Sequence, residues 1–397
     1  MKITVIGAGS IGSAIALDLV RRDRVSLVRV CDARARSLQE IHAEVDSSKL
    51  RSFQVDVRDR KVLESILKGS DAAIGCVPPE HSPRLARLCL SLGIAYCDLG
   101  GSTAVYNEIL TLNEEARAKS VWIVPNCGLA PGLVNVLCLR GLSKFDEVET
   151  ARLRVGDVPL HPEPPFNFRI SWTAQKVIED YTHPTKIIAN GDLQARDALT
   201  GLEQVHFEAP FNTMEAFHTS GGLSSLAEDL EGEVQRLDYK TIRWPGHADQ
   251  MRFLLALGFG DDRHIDVRTH LTYRDVLVRR LRQRLGGEYA DAALMRLLFT
   301  GTVDGAPKTL VYEMVKLYDS ATQMSAMRLC TGVPVALVAY LLASGQVTGG
   351  GAAPPERVVP LDLYCDLIHE SGLPVTMRWY DGHLSITDTA VAQPTNA

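Results

Sequence analysis

The stretch Ile3-Thr4-Val5-Ile6-Gly7-Ala8-Gly9-Ser10-Ile11-Gly12, at the start of the chain, decides how the rest is read. A short apolar run is followed at once by spaced glycines, and each glycine has its own reason to be there. Gly7 lets a strand turn sharply, Gly9 lets backbone come close to a pyrophosphate, and Gly12 lets the next helix pack tightly on the strand. Ser10 and Ile11 open that helix, so its free N–H groups and positive end face the phosphates. Ile11, Ile15 and Leu19 recur at helical spacing and give the helix one apolar face. Twenty residues after Gly12, Asp32 ends a second apolar strand, Val25 to Cys31. A carboxylate there accepts hydrogen bonds from the adenosine ribose hydroxyls and repels a 2′-phosphate, which favours NAD over NADP. Ala33 and Arg34 continue the same turn. The guanidinium of Arg34 or Arg36 either pairs with a 2′-phosphate or lies over the adenine.

Working outward, helical and apolar segments alternate. Helix Ser37 to Val45, strand Arg51 to Val55, helix Lys61 to Leu67, strand Ala72 to Val77 and helix Leu85 to Leu92 follow in turn. Strand Ala95 to Leu99, helix Glu108 to Lys119 and strand Val121 to Val124 complete the series. This alternation predicts an α/β architecture with a doubly wound parallel sheet and right-handed crossovers. Ligands in such sheets lie outside the carboxyl ends of the strands, so each strand end is a candidate contact. Asp56 and Val57 end the third strand, where Asp56 either accepts from the adenine amino group or serves as a turn aspartate. The backbone of Cys76, Val77 and Pro78 is placed to follow ribose and phosphates. Gly100 and Gly101 free the chain after Asp98 to approach a ligand. Asp98 itself either holds a cationic amine or caps the turn. Gly128-Leu129-Ala130-Pro131 opens the helix that leaves this region, with the proline in its first turn, and Gly128 lies on a possible floor under nicotinamide and substrate. Cys127 reads as a packing residue.

Beyond Phe145 the pattern changes to longer alternating strands, such as Glu149 to Val155 and Ile265 to Tyr273, as expected of an antiparallel sheet. Asp157 to Asn167 carries four prolines and reads as an irregular loop. Helical periodicity returns at Asp275 to Leu285 and from Tyr318 onward. Gly349-Gly350-Gly351 reads as a flexible break, followed by helix Leu361 to Ser371 and strand Val375 to Tyr380. The chain has 397 residues, enough for more than one core. Its net charge of −6, with both signs interspersed, offers no basic stripe for nucleic acid. Eight cysteines fall into no Cys-x-x-Cys pair or Cys/His array, so no metal site and no disulfide framework are expected. The apolar run Val333 to Ala343 is shorter than a bilayer requires and reads as a buried helix, so no membrane is expected as a partner. Met1-Lys2-Ile3-Thr4 enters a strand without a charged-then-apolar leader, which sets the expectation of a cytoplasmic protein.

The second half holds one dense group of donors, Tyr239-Lys240-Thr241-Ile242-Arg243-Trp244-Pro245-Gly246-His247. Strand alternation puts Lys240 and Ile242 on one face and Thr241 and Arg243 on the other. Arg243, with its planar fork, suits a substrate carboxylate. Lys240 and His218 are the candidate catalytic bases, either of which takes a proton from an amine if burial brings its pKa near working pH. Each has an alternative as an ordinary surface or packed residue.

The chain resembles the saccharopine dehydrogenase superfamily, and within it the lysine 6-dehydrogenase branch. The resemblance rests on the Val5-to-Gly12 start, Val77-Pro78-Pro79, Tyr96-Cys97-Asp98-Leu99-Gly100-Gly101 and Cys127-Gly128-Leu129-Ala130-Pro131-Gly132. It continues through Glu215-Ala216-Phe217 with Thr219, Lys240 to His247, Thr331-Gly332-Val333-Pro334 and Pro354-Pro355-Glu356. It implies a Rossmann domain over residues 1–135 and an inserted α+β substrate and dimerisation domain over 136–325. Residues 326–397 are then C-terminal elements returning to the first domain, and the protein a homodimer or higher homo-oligomer. It further implies NAD-dependent oxidative deamination of a small amine or amino acid, most simply the ε-amino group of L-lysine. The product is 2-aminoadipate 6-semialdehyde, which closes to 1-piperideine-6-carboxylate. His218 stands where the resemblance leads one to expect tyrosine. A saccharopine- or carboxynorspermidine-type reductase using NADPH, and a non-enzymatic NAD(H) sensor, are the alternatives.

Overall fold

The computed structural model describes residues 1–387, which divide into two compact units. The first comprises residues 1–140, 319–324 and 328–373. Its strands are β1 Lys2–Ile6, β2 Leu27–Asp32, β3 Leu50–Gln54, β4 Ala72–Gly75, β5 Ala95–Asp98 and β6 Trp122–Val124. With the two-residue strand Gly351–Ala352 they form a seven-stranded sheet in the order Gly351–Ala352, β6, β5, β4, β1, β2, β3. Every pairing in it is parallel. Helix α1, Ser10–Arg21, follows β1 and buries Ile15, Ala16 and Leu19. The doubly wound α/β sheet expected from the sequence is therefore present, with its strand order reversing between β1 and β4.

Four details of this unit differ from the sequence reading. The helix expected over Glu108 to Lys119 is two helices, Thr103–Leu110 and Asn113–Ala118. The Thr111 hydroxyl donates to the Glu108 carbonyl at 2.7 Å, and such a local bond competes with the helical ladder. Pro131 lies outside the helix it was expected to open, which starts at Leu133. Gly349 to Gly351 is not a free break, because Gly351 and Ala352 pair with Trp122 and Ile123 at the sheet edge. Gly350 has to be glycine there, since a Cβ would stand 2.5 Å from the Val121 nitrogen. The apolar run Val333 to Ala343 is the end of an 18-residue helix, Ala326–Ala343, long and apolar enough by length and composition to cross a membrane. In this protein 67% of it is buried, and Val335 through Ala339 are all inaccessible to solvent.

The second unit comprises residues 141–318, 325–327 and 374–387 of the described chain. Its strands are β7 Glu147–Pro159, β8 Thr185–Ala189, β9 Asp192–Arg196, β10 Glu203–His206, β11 Thr213–His218, β12 Arg236–Arg243, β13 Asp291–Val303 and β14 Ala306–Leu317. A nine-stranded sheet runs β10, β11, β12, β7, β13, β14 and Thr376–Asp381, with β8 and β9 added beside β12. All pairings are antiparallel except β12 with β7. Alternation along β11 divides the cores: Met214 and Ala216 face one apolar cluster with Val158, Ile242 and Leu294, while Phe217 faces another. That other cluster includes the buried sides of the helices Ala174–Thr182, His247–Ala256 and Tyr273–Leu285.

Two expectations are corrected here. Ile265 to Tyr273 forms no strand beyond a single bridge between His264 and Thr272. Thr272 instead caps the helix that follows, in a reciprocal pair with Asp275, so the chain is already committed to a helix start. The C-terminal segment does not return whole to the first unit. The helix Leu361–Glu370 belongs to it, but Thr376–Asp381 pairs with β14 in the second.

Candidate functional site

In the first unit the glycine loop separates two kinds of requirement. Gly7 has φ +114°, and a Cβ on it would stand 2.3 Å from the Cys76 carbonyl oxygen. A Cβ on Gly12 would lie 2.0 Å from the Gly7 oxygen. These two glycines are demanded by the chain's own packing. Gly9 is different: it precedes α1 with φ −77°, and nothing lies within 4 Å of the position its Cβ would take. The space beside it is open, next to the first N–H groups of α1 contributed by Ser10 and Ile11, the kind of helix end that suits an anion. Around the loop, Arg328 donates from Nε to the Ser10 carbonyl at 2.9 Å and from Nη2 to the Ser13 hydroxyl.

Asp32 is tied to this loop. Its Oδ2 accepts from the Ala8 N–H at 2.9 Å and its Oδ1 from the Arg34 N–H at 2.8 Å, which fixes the carboxylate with lone pairs to spare. The Arg34 side chain reaches only to 3.5 Å from Asp32 and is 71% exposed. Ala33 gives its carbonyl to Gln54 Nε2 at 3.2 Å. The loop, the helix end and the fixed carboxylate fit a nicotinamide dinucleotide. Asp56, partly exposed after the third strand, is gripped at both oxygens by Arg58, which holds the carboxyl below its ordinary range. Val57 borders a small cavity rimmed by Arg60, Arg84 and Arg87. Cys76 faces Gly7, and Val77 and Pro78 lead into the turn Pro79–His81.

At the carboxyl end of β5, Asp98 is 1% exposed. Its Oδ1 accepts from the N–H groups of Gly100 at 2.9 Å and Asn126 at 3.2 Å, so the turn-capping role is real. Its enclosed Oδ2 has no partner of hydrogen-bond geometry, although the hydroxyls of Ser82 and Tyr96 lie near it. Burial pushes this carboxyl above its ordinary value. Gly100, with φ +86°, could not carry a side chain, because a Cβ would stand 2.2 Å from Asn126 Oδ1, and Gly101 is closed in by Pro79. Gly128 is less constrained than expected: a Cβ there meets only ordinary contacts at 3.5 Å. The glycine the loop requires is Gly132, with φ +135° and the Gly128 oxygen 2.1 Å from its Cβ position.

The second unit does not bring Lys240, His218 and Arg243 to one place. His218, Lys240, Arg154 and Arg296 stand directly opposite one another across β11, β12, β7 and β13, a row of basic residues on one sheet face. Such a row is destabilising unless acids are interleaved. Glu203 and Asp238 bind Arg154, and Glu313 binds Arg296. Lys240 Nζ donates to the Gly201 carbonyl at 2.6 Å and lies 2.9 Å from Glu203 Oε2. Burial, with Arg154 adding, lowers the Lys240 pKa, yet both of these contacts hold the ammonium in place. Burial also lowers that of His218, whose Nδ1 lies 3.3 Å from the Tyr239 carbonyl and donates to it in the neutral ring.

Arg243 is on the opposite face of β12, where three other elements hold it. Its Nη1 donates to Asp157 Oδ1 at 3.0 Å, to the Asp157 carbonyl at 3.1 Å and to the Ile242 carbonyl at 2.9 Å. Its Nε donates to the Tyr181 hydroxyl at 3.1 Å. Asp157 Oδ2 accepts from the Ser171 hydroxyl at 2.6 Å. The guanidinium lies over Phe168 at 4.5 Å and Trp172 at 5.6 Å. Arg243 is 1% exposed, and its hydrogen bonds to the described residues run from Nε and Nη1, with none from Nη2. The enclosed Tyr289 hydroxyl near Ser171, Asp157 and Arg243 also lacks a partner of proper geometry. Tyr181, Asp157 and Tyr289 carried no signal in the sequence beyond their residue type. His247 was legible only as the last member of the Lys240-to-His247 run. Among the described residues no three His, Cys, Asp or Glu side chains gather as for a metal ion.

The first unit is thus an NAD(P)-binding domain, a parallel sheet that begins with a strand, glycine turn and helix. Residues 3–124 match the saccharopine dehydrogenase NADP binding domain and residues 128–371 the saccharopine dehydrogenase C-terminal domain. The chain belongs to the saccharopine dehydrogenase family. It is similar to the mitochondrial alpha-aminoadipic semialdehyde synthase of Bos taurus, 21% identical over 269 residues. That match takes in 65% of this chain and only 28% of the bovine protein. Among solved structures it is similar to apo saccharopine dehydrogenase (L-Glu forming) from Saccharomyces cerevisiae, with TM-score 0.78 and 16% identity over 96% of this chain and 99% of that one. A homospermidine synthase from Legionella pneumophila, solved in complex with NAD, gives TM-score 0.67 and 14% identity over 96% and 91%. At these identities the two structures establish the shared fold.

Proposed function

We propose that this protein is an NAD-dependent oxidoreductase that deaminates a small amino acid at an amine carbon, with the ε-amino group of L-lysine as the first substrate to test. The observation that carries the reading is Arg243: a buried guanidinium held by Asp157 and Tyr181, with one edge left unpaired between aromatic rings. A buried donor without a partner is costly, and a ligand carboxylate satisfies it with charge-assisted bonds. In the first unit, Asp98 presents an unpaired carboxylate oxygen at a strand end, a feature that suits a nitrogen-bearing ligand of that unit. A bound nicotinamide nucleotide supplies the hydride acceptor. Lys240 and His218 have no step in this reading, since they face the other side of β12 from Arg243.

The test is formation of reduced nicotinamide with L-lysine, followed in the parent protein and in Arg243→Lys. The lysine keeps a cation beside Asp157 and loses the open edge. KM for the amino acid is expected to rise at least about tenfold, the worth of a charge-assisted hydrogen bond. An unchanged KM removes Arg243 from the substrate site. Arg34 supports a second reading, an NADPH-dependent reductase, because its exposed guanidinium is free to meet a 2′-phosphate. Turnover only with NADPH and an aldehyde or keto acid plus an amine would favour it.

A further inference from the structure

The Arg243 cluster contains two groups that touch no open edge yet determine where that edge points. His247 is 1% exposed, with Nδ1 3.0 Å from the Phe166 carbonyl and Nε2 2.9 Å from the Tyr181 hydroxyl. A carbonyl only accepts, so Nδ1 carries the proton and Nε2 is the acceptor. The Tyr181 hydroxyl therefore donates to His247, which turns its lone pairs toward Arg243 Nε at 3.1 Å. The two rings are themselves wedged edge to face, 5.6 Å apart, and Phe217 stacks on His247 at 6.1 Å. The order of bonds runs one way, from Arg243 Nε–H to Tyr181 Oη–H to His247 Nε2, and from His247 Nδ1–H to the Phe166 carbonyl. Asp157 fixes the other side of the same guanidinium through Nη1. A planar fork held through both Nε and Nη1 has one orientation for Nη2.

We propose that Tyr181 and His247 are positioning residues for Arg243, together fixing the guanidinium so that its unpaired Nη2 edge meets a ligand carboxylate. The proposal rests on the functional reading above in taking that ligand to be the amino-acid substrate. The predicted consequence is selective: loss of either residue weakens recognition of the carboxylate and leaves the amine chemistry to other groups.

The experiment compares Tyr181→Phe, His247→Phe and His247→Gln with the parent, using L-lysine and 1,5-diaminopentane, the same amine with and without the carboxylate. Tyr181→Phe and His247→Phe are expected to lower the lysine-over-diamine preference in kcat/KM about tenfold, through KM rather than kcat. His247→Gln, whose amide can accept from Tyr181 and donate to the Phe166 carbonyl, is expected to recover most of the loss. An unchanged preference, or an equal loss on both amines, overturns the proposal. Should Tyr181→Phe not fold, the two His247 variants carry the same comparison. If the protein oxidises neither amine, the functional reading fails and the positioning is tested separately, by titrating glutarate against the fluorescence of the protein's tryptophans, among them Trp172. Glutarate affinity about tenfold weaker in Tyr181→Phe supports the positioning. Equal affinity in parent and variant, or no binding by the parent, overturns it.

Discussion

Asp32 joins two turns of backbone with one carboxylate. Its two bonds to the N–H groups of Ala8 and Arg34 hold the glycine loop against the end of β2 and leave the carboxylate with lone pairs to spare. Asp32→Ala removes the repulsion of a 2′-phosphate and leaves Arg34 free to attract one. The ratio of NAD to NADP affinity is expected to fall at least about tenfold, read from titrations of both coenzymes. An unaltered ratio would place cofactor choice elsewhere. His247 makes a prediction of a different kind. Burial, with Arg243 adding, lowers its pKa to about 3, whereas in the unfolded chain it titrates near the ordinary 6.5. Between these values the unfolded state binds the extra proton, so the stability contributed by the neutral ring is complete above 6.5 and is lost as pH falls toward 3. Urea unfolding at about pH 7 and about pH 4.5 should show a smaller acid loss in His247→Gln than in the parent. Equal losses would mean that other groups control acid unfolding.

At the scale of elements, the strand, glycine turn and α1 were legible because everything that specifies them lies within some twenty consecutive residues. The glycines can be told apart only in three dimensions. Gly12→Ala drives a Cβ into the Gly7 carbonyl, so it should lower the melting temperature and the nucleotide affinity together. Gly9→Ala meets no protein atom and has an unremarkable backbone angle, so it should fold normally while losing NADH affinity, as titration by NADH fluorescence would reveal. A normal affinity in Gly9→Ala would mean that no phosphate passes over this residue. The polar cluster of the second unit was much less legible. Period-two alternation correctly separates Lys240 from Arg243, but it cannot say which partners each face supplies. Those of Arg243 are Tyr181 and Asp157, which lie 62 and 86 residues from it in sequence and meet it only through the β7–β12 pairing and the helix Ala174–Thr182. The same limit hid the fate of Lys240, whose restraint depends on Gly201 and Glu203 at the start of β10.

At the scale of the whole molecule, each unit is assembled from distant parts of one chain, and this bears on how it can be cut. The first unit takes its sheet from residues before 125 and its edge strand and longest helix from residues after 325. That helix does not merely decorate the sheet. Gly332 approaches α1 so closely that a Cβ would stand 2.9 Å from the Ala14 side chain, and Arg328 binds Ser10 and Ser13 beside the glycine loop. Val335, Leu337, Val338 and Leu341 are fully buried. At about 1.5–3 kcal/mol for each large apolar side chain, removing the helix forfeits a sum comparable to the whole stability of an ordinary domain, about 5–15 kcal/mol. A chain truncated after Tyr318 should therefore lose cooperative melting of the first unit and its binding of NADH, although the glycine motif and Asp32 are intact. Circular dichroism melts and NADH titration of the truncated protein check this directly. Parent-like affinity in that protein would mean that the amino-terminal segment alone suffices for the nucleotide fold, and that the carboxyl-terminal helix is held by the sheet without supporting it.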